Sequence, residues 1–327
     1  MHAKAQKKSC KQSLFIRKEN NTNMAYHILY IFVWLISLLP LKVLYVLSNG
    51  IYFIVYHVVK YRRQVVQNNL RSSFPERDEN DLQKIEKDFY HFFSDYIVET
   101  IKLCSMSKKQ MYRRVQFDGV EEMVNALHDK QKNFAFLYLA HYGNWEWISS
   151  LSARITDVNP NVVGGQIYHP LRNIAFNRLF LYMRGRFGGK NIGMKETLRF
   201  ILRNRRDKKP TIMGFIADQA PKWNSIHHWT EFLHHNTPVF VGTEQIGKQV
   251  DALIFYAHVE RPKRGYYHCT ISLITDNAKA HPDYELTDTY FSMLEKSIQA
   301  NPSLWLWTHK RWKRTYEEYL QRINEKA

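Results

Sequence analysis

The chain has 327 residues, with 47 lysines and arginines against 30 aspartates and glutamates, and a net charge of +17. Such a length fits an α/β domain with an extra segment, and such a charge attracts anions: nucleic acid, anionic headgroups, phosphorylated substrates or an acidic protein. The three cysteines, Cys10, Cys104 and Cys269, are odd in number and widely spaced without a CxxC pair, which excludes a disulfide framework and a zinc ribbon and fits a reducing compartment.

Residues 1–23 are polar and basic and lack an apolar face, so a disordered tail is expected. Residues 24–60 form a hydrophobic anchor segment. Its halves, "YHILYIFVWLISLL" and "VLYVLSNGIYFIVYHVV", are interrupted by Pro40 and Lys42. A spanning helix needs about 20 mainly apolar residues, and neither half is a clean span. A tilted transmembrane helix, a re-entrant hairpin and helices lying in the interface all remain open. The tyrosines and Trp34 suit a bilayer boundary. Both flanks are basic, a conflict for one span that a start at Met24, a hairpin or an interfacial anchor would each remove.

Residues 61–116 carry a helical pattern, with Pro75 and acidic residues opening "FPERDENDLQKIEKDFYHFFSDYIVETIKL". Residues 117–327 alternate. "NFAFLYLA" (133–140), "NVVGGQIY" and "PTIMGFIA" (210–217) predict buried strands. "NWEWISSLSARI" (144–155) predicts one helix capped by Asn144. Further helices are expected over "LRNIAFNRLFLYMRGRF", "KETLRFILRNR", "GTEQIGKQV" and 283–301, and an antiparallel pair is expected around "PKRG". The expected fold class is therefore α/β: a mixed, mostly parallel central sheet flanked by helices, preceded by a hydrophobic helical anchor.

His141 falls on the turn between the first of these strands and its helix, where open α/β sheets place reactive groups. Gly143 allows a tight turn. Glu146, in the first helical turn, is expected to face the imidazole, fix its tautomer and stabilise the imidazolium. The motif holds no serine or cysteine as an acyl carrier, which favours direct attack by a substrate hydroxyl. The plainer alternative is a polar strand end followed by an ordinary acidic first turn.

HxxxxE on such a turn, here "HYGNWE", is the signature of glycerolipid-type acyltransferases, the lysophospholipid acyltransferase superfamily. The chain resembles one branch, the lipid A biosynthesis lauroyl/myristoyl acyltransferases. The blocks that carry the resemblance occur in order: "RRQVVQNNLRSSFPE", "HYGNWEW", "IYHPLRNIAFNRLFLYMRGRFG", "IADQAPKWNSIHHWTEFLHHNTPVFVGTE" and "NPSLWLWTHKRWK". The resemblance implies transfer of an acyl chain from acyl carrier protein to a hydroxyl of an anionic glycolipid, a lipid A precursor. It also implies a place among membrane lipids at the cytoplasmic face of a bacterial inner membrane, with no cofactor, metal or nucleic acid. His141 is then the general base, oriented by Glu146. Backbone N–H groups near Gly143 and Asn144 are candidates for the oxyanion site. Asp218 and Gln219, ending the strand 210–217, are assigned to positioning the acceptor or His141, and they share its sheet edge if the two strands are parallel.

Many members of the family carry arginine where His169 stands, in a Tyr-Arg-Pro run. Phosphate or thioester-carrier binding would then pass to Arg172, Arg184 or Arg186. The basic runs Lys195–Lys209 and Lys310–Arg314, with Arg311, are expected to receive phosphates or the carrier. His227, His228, His234 and His235 fit no metal-ligand spacing and are expected on a substrate-facing loop. A lysophospholipid or aminolipid acceptor shares the same chemistry. A non-catalytic basic membrane- or nucleic-acid-binding protein is the remaining alternative, although no helix-turn-helix, RNA-recognition or finger motif is present.

Overall fold

The computed structural model describes residues 23–325; the basic tail, with Cys10, lies almost wholly outside them. Two apolar helices come first, α1 (Asn23–Leu38) and α2 (Leu41–Tyr52), broken at Pro40. A π-helical segment, Phe53–Val58, continues α2. The combined helix Leu41–Val58 is long and apolar enough to cross a membrane, so it qualifies as a candidate anchor by length and composition. It is also amphipathic in its packing. Leu41, Leu44, Ser48 and Tyr56 are buried, whereas Val43, Val46, Phe53, Ile54 and Val58 are exposed.

Residues 61–116 hold α3 (Arg63–Ser73), α4 (Glu79–Lys102) and α5 (Lys108–Arg114), with the first strand beginning at Val115. Asp78 caps α4 by accepting from the Asp81 N–H, and Ser107 with Gln110 forms a reciprocal capping box on α5. α4 is the spine that α2 lies along. Ser48 Oγ donates to Asp95 at 2.6 Å and Tyr45 Oη to Glu99 at 2.9 Å.

The sheet has seven strands: β1 (Val115–Asp118), β2 (Phe134–Leu139), β3 (Val163–Tyr168), β4 (Lys190–Gly193), β5 (Thr211–Ile216), β8 (Leu253–Lys263) and β9 (Tyr266–Thr275). Their order is β1-β9-β8-β2-β5-β3-β4. β8, β2, β5, β3 and β4 run parallel, and β9 turns back on β8 around "PKRG". β1 lies parallel to β9 at the edge. The mixed, mostly parallel sheet flanked by helices is thus the expected one. β2 sits at its centre, with Phe134–Tyr138 wholly buried; a strand covered on both faces needs a continuous apolar run, and "FAFLY" supplies it.

β6 (His228–Phe232) and β7 (His235–Val239) form a separate hairpin. The remaining helices are α6 (Val120–Asp129), α7 (Trp145–Ile148), α8 (Leu151–Val158), α9 (Ile174–Gly185), α10 (Thr197–Arg206), α11 (Gly242–Val250), α12 (Glu285–Ala300) and α13 (Tyr316–Asn324). The single helix expected over 144–155 is split into α7 and α8. At the break Ser149 Oγ donates to the Glu146 carbonyl, and the Ser149 and Ser150 N–H groups bond three residues back. Serine competes for backbone carbonyls in this way and tightens a helical turn.

Candidate active site

β2 and β5 are parallel and in register, with Leu139 opposite Ile216. His141 and Asp218 each lie two residues beyond that pair, so the register alone sets them side by side at the carboxyl end of the sheet. The contact is double. Asp218 Oδ1 lies 2.7 Å from His141 Nδ1, and Asp218 Oδ2 accepts the His141 backbone N–H at 3.0 Å. Oδ2 also accepts the Trp305 indole N–H at 2.8 Å. Burial pushes the Asp218 carboxyl up, but the charge on His141 and the hydrogen bonds from its ring, from Trp305 and from its backbone outweigh this and hold the group below its ordinary value. An ionised carboxylate only accepts. In the neutral ring Nδ1 therefore carries the proton, and the lone pair is on Nε2, 3.2 Å from the Gln219 amide nitrogen.

The expectation that Glu146 holds His141 needs correction. Glu146 is 2 % exposed and its carboxylate is taken by Arg184 of α9, which donates from Nε at 2.7 Å and from Nη2 at 2.5 Å. Tyr96 Oη adds a long contact at 3.5 Å. The reason is the direction of the four-residue helix. Asn144 caps it by accepting the Trp147 N–H at 3.0 Å, and Glu146 then projects into the protein, where a buried carboxylate requires a cation. The Glu146–Arg184 fork ties α7 to α9. Arg184, read from sequence as a substrate ligand, is instead occupied inside the protein.

Asn144 is itself fully buried, and its amide donates to Glu99 Oε2 at 2.7 Å. Burial raises the Glu99 carboxyl, with Arg261, Tyr267 and Asn144 opposing. Gly143 has φ +63°, and a Cβ there would sit 2.6 Å from Val259 Cγ1, so both backbone and space demand glycine. Its N–H is not free, because it donates to the Leu304 carbonyl at 3.0 Å. The Leu306 N–H returns a bond to the His141 carbonyl, and Tyr142 bridges Trp305. The C-terminal segment thus clamps the turn that carries His141, and Trp305 is the candidate site residue that the sequence does not single out. Its sole signal is membership of the block "NPSLWLWTHKRWK".

A family model described as bacterial lipid A biosynthesis acyltransferase matches residues 16–314, most of the chain. The chain belongs to that family. A search of curated proteins gave no match. The remaining candidate residues of this acyltransferase can now be placed. Arg311 is not on the surface. It is fully buried behind Asp218, donates to the Pro238 carbonyl at 2.8 Å, and leaves Nε and Nη1 without partners among the described residues. Burial pushes its guanidinium down to about 10, with Asp218 and Tyr290 opposing, so it stays charged at neutral pH. Its burial excludes it as a surface phosphate receiver.

Among the three arginines considered as substitutes beside His169, Arg184 is held by Glu146 and Arg186 donates to the Leu103 carbonyl. Arg172 is exposed and forms no ion pair among the described residues. His169 folds back on the Pro170 carbonyl at 3.0 Å. The hairpin histidines disperse: His228 meets Asp288 at 2.7 Å and stacks on Tyr284, while His235 stacks on Trp312. Cys104 and Cys269 are buried, and burial pushes their thiols up to about 11 and about 12, which makes them inert.

Proposed function

We propose that the protein moves a fatty acyl chain from an acyl carrier protein thioester to a hydroxyl of a lipid A precursor, at the cytoplasmic face of a bacterial inner membrane. The observation that carries this reading is His141, held at Nδ1 by a buried carboxylate with Nε2 against only the Gln219 amide among the described residues; its side chain is 21 % exposed. In the proposed step the acceptor hydroxyl displaces the Gln219 amide from Nε2 and loses its proton there as its oxygen attacks the thioester carbon. Asp218 stabilises the imidazolium. The tetrahedral intermediate collapses, the C–S bond breaks, and the thiolate takes the proton back from Nε2.

The N–H groups of Gly143 and Trp147 are already committed. The oxyanion role is then left to the N–H groups of Asn144, Trp145 and Glu146, at the start of α7. Glu146 keeps a role through Arg184, holding α7 and α9 at a fixed separation. The test is acyl transfer by wild type and His141→Ala with carrier-protein thioesters of several chain lengths and a phosphorylated disaccharide-lipid acceptor, product mass being read directly. A mass gain of one acyl chain, lost in the variant, is expected. Transfer to a lysolipid but not to the disaccharide lipid would keep the mechanism and replace the acceptor.

A further inference from the structure

The carboxyl ends of β3 and β4 are adjacent, with Tyr168 opposite Gly193. The chain leaving each of them enters an exposed segment of unusual alternation. Met194-Lys195, Leu198-Arg199 and Leu202-Arg203 are three apolar–cationic pairs in succession on the α10 side, and Leu171-Arg172 is a fourth on the α9 side. All four apolar side chains are at least 45 % exposed. The helix geometry makes the exposure systematic: Thr197, Ile201 and Asn204 face inward, so Leu198 and Leu202, one turn apart, face outward. The four paired cations form no ion pairs among the described residues.

We propose that this rim is a second membrane-contact face, seated on an anionic lipid surface beside the active site. Charge and shape agree on that partner. A leucine flanked by arginines matches the boundary between headgroups and acyl chains, where the apolar group enters the acyl region and the cations meet lipid phosphates. The rim is also continuous with the apolar N-terminal helices. α1 lies on α9, where Tyr30 and Tyr182 meet with hydroxyls 3.3 Å apart and rings edge to face at 5.1 Å. Ile174 and Phe176 of α9 are exposed between that contact and the rim. His141 follows β2, and β5 alone separates β2 from β3, with β4 next beyond it, so the rim lies on the same carboxyl edge of the sheet as the reaction site. A lipid acceptor could then reach Nε2 without leaving the bilayer.

This inference rests on the membrane placement proposed above, and the experiment separates the two. In the full-length chain carrying Cys10→Ser, single NBD-labelled cysteines are introduced by Leu198→Cys, by Phe32→Cys on α1 and by Asp129→Cys at the opposite end of the sheet. The buried Cys104 and Cys269 stay unlabelled. Each protein is bound to vesicles with brominated acyl chains, either phosphatidylglycerol/phosphatidylcholine or phosphatidylcholine alone. The expected result is at least twofold quenching at Leu198 that requires phosphatidylglycerol, quenching at Phe32 in both, and none at Asp129. Quenching at Phe32 with Leu198 as silent as Asp129 overturns the rim and leaves the membrane placement standing. Silence at both overturns both. Equal quenching at Leu198 in neutral vesicles overturns the anionic selectivity. A Leu198 label silent to bromine but blue-shifted by acidic carrier protein assigns the face to the carrier and overturns the proposal.

Discussion

Asp218 offers a sharp test because its two oxygens have different duties. Oδ2 accepts two N–H groups, those of the His141 backbone and Trp305, and Oδ1 accepts the imidazole. In Asp218→Asn the single remaining oxygen satisfies the pair of donors, and the new NH2 faces Nδ1. The ring must then accept at Nδ1 and carry its proton on Nε2, which removes the base. We expect kcat to fall by about 10³- to 10⁴-fold with KM little changed, the scale at which a wrong tautomer acts; steady-state kinetics on folded protein decides it. The stability effect has a definite sign. A carboxyl held below its ordinary 3.8 contributes stability that is complete above that value and lost as pH falls through the lower folded value. The stability gap between wild type and the variant should therefore shrink on acidification, as followed by denaturant unfolding at several pH values. His141 was legible in sequence because a strand, a glycine turn and a helix cap are local signals. Its true partner was not, since Asp218 stands 77 residues away, and only the parallel register of β2 and β5 sets the two together. Glu146 is the carboxylate nearer in sequence, but spacing does not tell which way a four-residue helix aims its side chains.

At the scale of elements, the seam between α2 and α4 gathers two buried carboxylates, Asp95 and Glu99, and two arginines. Asp95 is 3 % exposed and accepts from Ser48, Arg261 and Arg264. One turn along α4, Glu99 accepts from Tyr45, Tyr267 and Asn144. Two carboxylates therefore join an apolar N-terminal helix, the β8–β9 turn and the cap of α7. Asp95→Ala strands the buried Arg261, while the half-exposed Arg264 keeps Asn49 as a partner, and should cost about 3 kcal/mol, the usual penalty for breaking a buried ion pair from one side; a shift of the unfolding midpoint in detergent measures it. The helices and the long strands of this region were visible as periodicity. The seam was not, because its residues read in sequence as polar interruptions of apolar stretches, and only packing makes them partners. The short edge strands β1 and β4, four residues each, escape for a simpler reason: four residues carry too little alternation to separate them from a loop.

For the whole molecule, the net charge of +17 is spread unevenly, and the distribution bears on the donor. The basic residues of α10 are exposed, with Arg205 and Arg206 joining those of the rim, whereas Arg311, Arg261 and Arg184 are spent internally. The exposed charge outside the lipid-facing pairs, Arg205, Lys208 and Lys209 among it, creates a field that an acidic carrier protein would follow toward the site, and such steering is screened over about 8 Å at physiological ionic strength. With a carrier-protein thioester as donor, kcat/KM should fall several-fold as salt rises from about 50 to about 500 mM, chiefly through KM, because encounter and not chemistry is being screened. With a short, uncharged thioester of the same acyl chain the fall should be much smaller, since no extended acidic surface has to be guided. Equal salt dependence for the two donors would place the electrostatic demand on the phosphorylated acceptor instead. A fall in kcat for both would point to the vesicle-bound orientation of the enzyme, where the arginines of the lipid-facing pairs hold the rim against anionic lipid.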